Sequence, residues 1–156
     1  MKIPVVSVSG NPYHLGFQHG RQAKKAIQEN VRFYMSHWEY LWGVKLDQIL
    51  KDAQKFIPYI EKLDPEILEE LKGVAEGSGV QFGEIVALNA RYELSYAYMP
   101  PISPWTPMEG CTSFALIPEV TQKQHMFVGQ NWDYHPGVEN SCIILRINQK
   151  DKADII

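Results

Sequence analysis

The sequence has only two cysteines among its 156 residues, Cys111 and Cys142, which excludes a disulfide-framed scaffold. It has no basic surplus: 15 Lys and Arg against 18 Asp and Glu leave a net charge of −3. That balance excludes nucleic acid or an anionic membrane as a partner recognised by charge alone. No apolar run approaches the length of a membrane span. The uncharged stretch LSYAYMPPISPWTPM is broken by Pro100, Pro101, Pro104 and Pro107. The opening MKIPVVSVSG has one lysine and too short an apolar run for a signal peptide, so the expected location is cytoplasmic. The five histidines, His14, His19, His37, His125 and His135, include no pair at helical i, i+4 spacing. With no Gly-rich phosphate loop either, neither a metal nor a cofactor is expected.

What is present suits a real core: 45% of residues are apolar and 12% aromatic. Ile3 to Val8 alternates and ends at Gly10, as a short strand does. Asn11-Pro12 reads as a cap followed by proline at the first helical position, opening a long helical pattern from Tyr13 to about Trp42. Gly16 and Gly20 fall on one face of it, which predicts that something packs close against them. A second helix is predicted from Leu46 to Leu63. Asp64-Pro65 opens a third, ending at Gly77 or Gly79, and Phe82 to Leu94 gives one more. After the proline-rich stretch the period changes. Cys111 to Ile117, His125 to Asn131, Cys142 to Ile147 and the residues from Asp154 read as strands of a β-meander. The fold class is therefore α+β, helical in 1–110 and β in 111–156, within one domain.

Cys111 lies at the seam. It follows Gly110 and precedes Thr112 and Ser113, whose hydroxyl and N–H groups suit a polar pocket. A thiol pinned there can attack the Gly110 carbonyl, and water opening the thioester leaves Cys111 as a new chain terminus. Its α-amine, with a pKa of about 8, then acts as its own base. The competing reading is a buried cysteine that starts a strand. Asp133, in GQNWDYHP, lies 22 positions after Cys111, with a strand, a turn and a strand between them. A hairpin of that length returns Asp133 to the neighbourhood of Cys111. Its carboxylate then holds a protonated amine, orients a cationic partner or substrate, or caps a turn. Thr112, Ser113 and Asn131 have the chemistry of oxyanion donors or positioning groups. Cys142, among Ile143, Ile144 and Leu145, reads as apolar filler. Tyr92, Tyr96, Tyr98 and Trp105 either line an acyl pocket or pack the proline-rich loop.

EGCTSFAL followed by GQNWD resembles the acyl-coenzyme A:6-aminopenicillanic acid acyltransferase family, the C45 peptidase group of the N-terminal-nucleophile hydrolases. GNPYHLGFQHG (10–20) is similar to the family's opening motif, and residues 63–94 to its middle helical segment. His14 departs from the acid often found there. The resemblance implies an αββα sandwich made as a precursor that cuts itself between Gly110 and Cys111. It implies Cys111 as nucleophile, Asp133 as an active-site carboxylate, and a small acylated substrate, amide or thioester. Related bile-salt hydrolases carry arginine where Gln130 stands, which favours the acyltransferase-like branch.

Family chains are considerably longer, so the sequence is expected to be an N-terminal part of such a chain, an incomplete domain. About four strands cannot close two sheets, and their open edges predict oligomerisation or association with a missing C-terminal part. The rival reading is an inactive fragment, or a non-catalytic module whose helices form a binding surface.

Overall fold

The computed structural model describes residues 3–98, 110–149 and 152–156. They belong to two compact units, Met1–Pro100 with Val138–Ile156, and Pro101–Gly137. Among the described residues no helix is long and apolar enough to cross a membrane. The four prolines of the proline-rich stretch and Trp105 lie outside the described residues.

The larger unit holds β1 (Val5–Gly10), α1 (Pro12–Gln22), α2 (Lys24–Trp42), α3 (Leu46–Gln54), α4 (Ile57–Leu63), α5 (Pro65–Ser78), α6 (Phe82–Asn89), α7 (Arg91–Tyr98) and a strand from Ile144 to Gln149. The predicted caps are in place. Asn11 accepts a hydrogen bond from the His14 N–H at 2.9 Å, and Asp64 accepts one from the Glu66 N–H at 2.8 Å. Each is followed by proline in the first helical turn. Gly79, at φ 70°, ends α5 in the left-handed conformation that glycine reaches without a Cβ clash.

α1 and α5 meet backbone to backbone. A Cβ on Gly16 would lie 1.9 Å from the Glu70 carbonyl oxygen, and one on Gly20 would lie 2.4 Å from that of Val74. The seam is reciprocal: a Cβ on Gly73 would come within 2.2 Å of the Tyr13 carbonyl oxygen, and one on Gly77 within 2.3 Å of that of Phe17. Four glycines, paired at i, i+4 on each helix, allow an approach that any side chain would block. At the end of the seam the fully buried Ser78 donates its hydroxyl to the Val74 carbonyl at 2.7 Å, so no polar group is stranded there.

α1 also shapes the sheet. Leu15 and Ala23 pack with Val6 and Val8 of β1, and Ile143, Leu145 and Ile147 lie against this cluster. Val6 and Val8 stand in register with Leu145 and Ile147. The far edge of β1 is closed by side chains of α1. Gln18 donates to the Ser9 carbonyl at 2.7 Å, and Gln22 to that of Ser7 at 2.9 Å. These carbonyls would otherwise form an unpaired edge.

The smaller unit is built on β2 (Thr112–Leu116) and β3 (Phe127–Asn131), an antiparallel pair, and the strand at Ile144–Gln149 is β4. The α+β class stands, but the meander of antiparallel strands needs correction. β4 pairs in parallel with β1, because its alternating apolar residues complete the cluster beneath α1. The residues from Asp154 make a single antiparallel bridge, Ile155 to Ile147. Three predicted helices are divided. Ala23, at φ −100° and ψ 17°, separates α1 from α2, and Ala90, at φ −93° and ψ 21°, separates α6 from α7. Both are buried, and tertiary packing sets these bends. Between α3 and α4, Pro58 has no N–H for a bond back to Gln54.

Asp52 ties α3 to α7. Its carboxylate accepts hydrogen bonds from Lys55 at 2.5 Å, from the Tyr98 hydroxyl, and from Gln48 at 2.9 Å. These donors, Lys55 first, hold it well below the usual carboxylate range. Burial, reinforced by the Asp52 charge, pushes Tyr98 up to about 12.

Two predictions follow from this packing. Gly73→Ala should destabilise by about 1–3 kcal/mol or more, since the helices must part. Gly83→Ala, where a Cβ meets only Leu50 at 3.8 Å, should be neutral or gain about 0.5 kcal/mol. Urea midpoints are the check: that of Gly73→Ala should fall below the parent's, and that of Gly83→Ala should equal or exceed it. Tyr98→Phe should lose about 1.5–3 kcal/mol near neutrality, the worth of a hydrogen bond to a charged group. A tyrosine raised from 10 to about 12 on folding stabilises fully below pH 10 and loses that contribution as pH rises through 12. The gap between parent and Tyr98→Phe should therefore shrink between pH 10 and 12 in urea titrations; a constant gap would count against the Asp52 bond.

Candidate functional site

The hairpin β2–β3 positions the candidate site. Its register pairs Thr112 with Asn131, Ser113 with Gln130, Phe114 with Gly129, Ala115 with Val128 and Leu116 with Phe127. Gly129 has a local reason: a Cβ there would lie 2.4 Å from the Phe114 ring, so the ring lies over the glycine across the strands. That pairing helps to fix the register, and the register fixes which residues meet at the open end.

At that end the chain enters through Gly110 and Cys111 and leaves through Trp132 and Asp133. The Cys111 thiol is exposed and donates to the Asp133 backbone carbonyl, with Sγ 3.8 Å from the oxygen. The hairpin thus returns Asp133 to Cys111, and their contact runs through the Asp133 backbone. The Asp133 carboxylate is engaged elsewhere. Asn131 directs its side-chain nitrogen at both carboxylate oxygens, at 2.9 and 3.1 Å. The amide for which the sequence left an oxyanion and a positioning role open is aimed at the carboxylate.

Strand alternation separates the remaining candidates. Thr112 shares a face with Asn131, while Ser113 lies on the other face with Gln130. Gly110 is exposed, and among the described residues nothing lies within 4 Å of where its Cβ would be. Trp132 and Tyr134, the neighbours of Asp133, stack at 5.3 Å between centroids and 8° between planes. Sequence reasoning did not find this stack, although two aromatics flanking one residue were its visible signal. His135 accepts from the Gly137 N–H at 3.0 Å, closing a local turn.

Candidates in the larger unit divide in the same way. Cys142 is half-buried and donates to the Val138 carbonyl at 3.6 Å. Tyr98 lies against Trp42, at 5.1 Å between centroids with the rings tilted by 38°, besides bonding Asp52. Tyr92 and Tyr96 are exposed, and the Arg91 guanidinium lies 4.7 Å from the Tyr92 ring centroid.

As a chemical arrangement, the hairpin presents an exposed thiol one residue after a glycine carbonyl. Across its open end stands a residue whose carboxylate is held by an amide. These are the parts of a nucleophile and of a charge that can orient an amine.

No protein-family model matches the chain. It is 28% identical over 148 residues to the acyl-coenzyme A:6-aminopenicillanic-acid-acyltransferase 40 kDa form of Emericella nidulans, a match covering 92% of this chain and 38% of that protein. It is 34% identical over 111 residues to the N-acylethanolamine-hydrolyzing acid amidase of Caenorhabditis elegans, covering 63% of this chain and 28% of that protein. The chain thus spans well under half the length of either relative. Along most of its own length it is similar to an acyltransferase, and along a shorter part to an enzyme that hydrolyses amides.

Proposed function

We propose that this chain carries the nucleophile of a self-processing cysteine amidohydrolase or acyltransferase of the N-terminal-nucleophile type, with Cys111 as nucleophile and Asp133 as the carboxylate that orients its amine. The observation that carries the reading is the return of Asp133 to an exposed Cys111 across the open end of β2–β3, with Sγ 3.8 Å from the Asp133 carbonyl. Similarity to an acyltransferase and to an amidase supports the same chemistry. Phe114, Leu116 and Phe127 on one face of the hairpin and Val128 on the other are all exposed within this unit. The face that carries Phe114, Leu116 and Phe127 is the one suited to pack against a second layer, as in an αββα sandwich.

The chemistry has two stages. In maturation the Cys111 sulfur adds to the Gly110 carbonyl and the peptide nitrogen leaves with a proton, giving a thioester. Water cleaves the thioester to a Gly110 carboxylate and a free Cys111 with its thiol and α-amine. In turnover the α-amine takes the thiol proton and the sulfur adds to the acyl carbonyl of a small amide or thioester. The proton passes to the departing amine or thiol. An acceptor amine or water then takes the acyl group and restores the thiol. The Asp133 carboxylate is suited to hold the α-ammonium that forms in each cycle. No cofactor enters these steps.

The test uses protein expressed from its natural reading frame and p-nitrophenyl acetate as the acyl donor. Acetyl should accumulate on the Cys111 peptide and not on that of Cys142, as read by peptide mass mapping. Cys111→Ala should abolish labelling while leaving the thermal midpoint nearly unchanged. Asp133→Asn should lower turnover at least a hundredfold with stability kept. Labelling of Cys142 alone, or an Asp133→Asn variant within a few-fold of the parent, would contradict the assignment.

A further inference from the structure

We infer that Asn131 is a positioning residue that acts through the Asp133 carboxylate, an inference that rests on the proposed roles of Cys111 and Asp133. Three features of the smaller unit lead to it. First, Asn131 is the last residue of β3 and pairs with Thr112, the residue after the nucleophile. Its backbone is thereby fixed relative to Cys111. Second, its side-chain nitrogen reaches both oxygens of the Asp133 carboxylate, at 2.9 and 3.1 Å. A primary amide has two N–H groups on that nitrogen. Nearly equidistant from both oxygens, the nitrogen presents one N–H shared between them, which fixes the plane of the carboxylate, while its other N–H points away from it. Third, the Trp132–Tyr134 stack, at 5.3 Å and 8°, braces the backbone on both sides of Asp133. The stack places the Asp133 backbone, and Asn131 places its charge.

The need for such a partner follows from exposure. Asp133 is exposed, and an exposed carboxylate held by nothing samples several rotamers in water. An amine that must be met in one orientation on every cycle gains from a carboxylate already oriented, and a misplacement of about 1 Å can cost a hundredfold in rate. Asparagine suits the position because it donates without adding charge. An aspartate there would set two carboxylates about 3 Å apart, which is repulsive.

The experiment is a double-mutant cycle on protein from the natural reading frame, with p-nitrophenyl acetate as substrate and urea midpoints as a control. Asn131→Leu, close in shape but without donors, should lower kcat about ten- to a hundredfold with KM within about twofold and the urea midpoint nearly unmoved. Asn131→Asp should lower kcat further. In the Asp133→Asn background, Asn131→Leu should have no further effect, since the carboxylate it positions is gone. Equal losses in both backgrounds would mean that Asn131 acts on the reacting atoms independently, as an oxyanion donor does, and would overturn the inference. So would a change confined to KM, or a kcat loss matched by a fall in stability. An Asp133→Asn variant with parental turnover would instead remove the proposed role of Asp133 itself, and the inference with it. A disabled Asp133→Asn variant beside an unaffected Asn131→Leu variant would sink the inference alone.

Discussion

The larger unit depends on one steric permission: α1 and α5 touch through backbone because Gly16, Gly20, Gly73 and Gly77 carry no side chains. Everything α1 does follows from where that seam puts it. Its apolar face, Leu15 and then Ala23 beyond its end, covers Val6 and Val8. Its glutamines satisfy the free edge of β1. β4 can then complete the sheet in parallel on the other edge of β1. A methyl group at any of the four glycines would separate α1 from α5 and disturb the cluster that α1 shares with the strands. Helix-interior glycines ordinarily cost about 0.5–1 kcal/mol each relative to alanine. Their presence at matched spacing on both helices is explained by the contact they permit.

The smaller unit follows a different logic. Its site comes from strand register alone. With Phe114 over Gly129, Thr112 must face Asn131, and the residues just beyond, Cys111 and Asp133, come together with no other element of that unit required. Residues 22 apart in sequence thus become neighbours through a hairpin, at a small entropic cost of loop closure. The proposed chemistry needs that proximity. The nucleophile and the charge that orients its amine must keep one geometry through both maturation and turnover.

Much of this was legible in the sequence where the signal is local. Asn11-Pro12, Asp64-Pro65 and Gly79 act within a turn of the residues they cap, so their effects could be read directly. The close approach at Gly16 and Gly20 could be anticipated, but its partner was not named, although the same i, i+4 spacing at Gly73 and Gly77 was an available sign of it. Pro58 was an available sign that Leu46–Leu63 is not one helix. The bends at Ala23 and Ala90 carry no such sign, because alanine favours helix and packing alone sets them. The pairing of β4 with β1 was not legible either. Two strands more than a hundred residues apart share no local signal, and an apolar alternation does not say which neighbour it meets. At the candidate site, spacing was enough to bring Asp133 back to Cys111. The direction of the Asn131 amide was not, since one short side chain can serve an oxyanion or a carboxylate and only geometry separates the two.

The central claim is that Cys111 becomes a chain terminus and, by that change, a nucleophile with its own base. Intact-mass spectrometry of protein freshly purified from its natural reading frame tests it most directly. The account predicts two polypeptides whose masses sum to the whole chain plus one water, the second beginning at Cys111. In a Cys111→Ala variant a single uncut chain should remain. One uncut mass in the parent, or a cut at any other bond, would contradict the account.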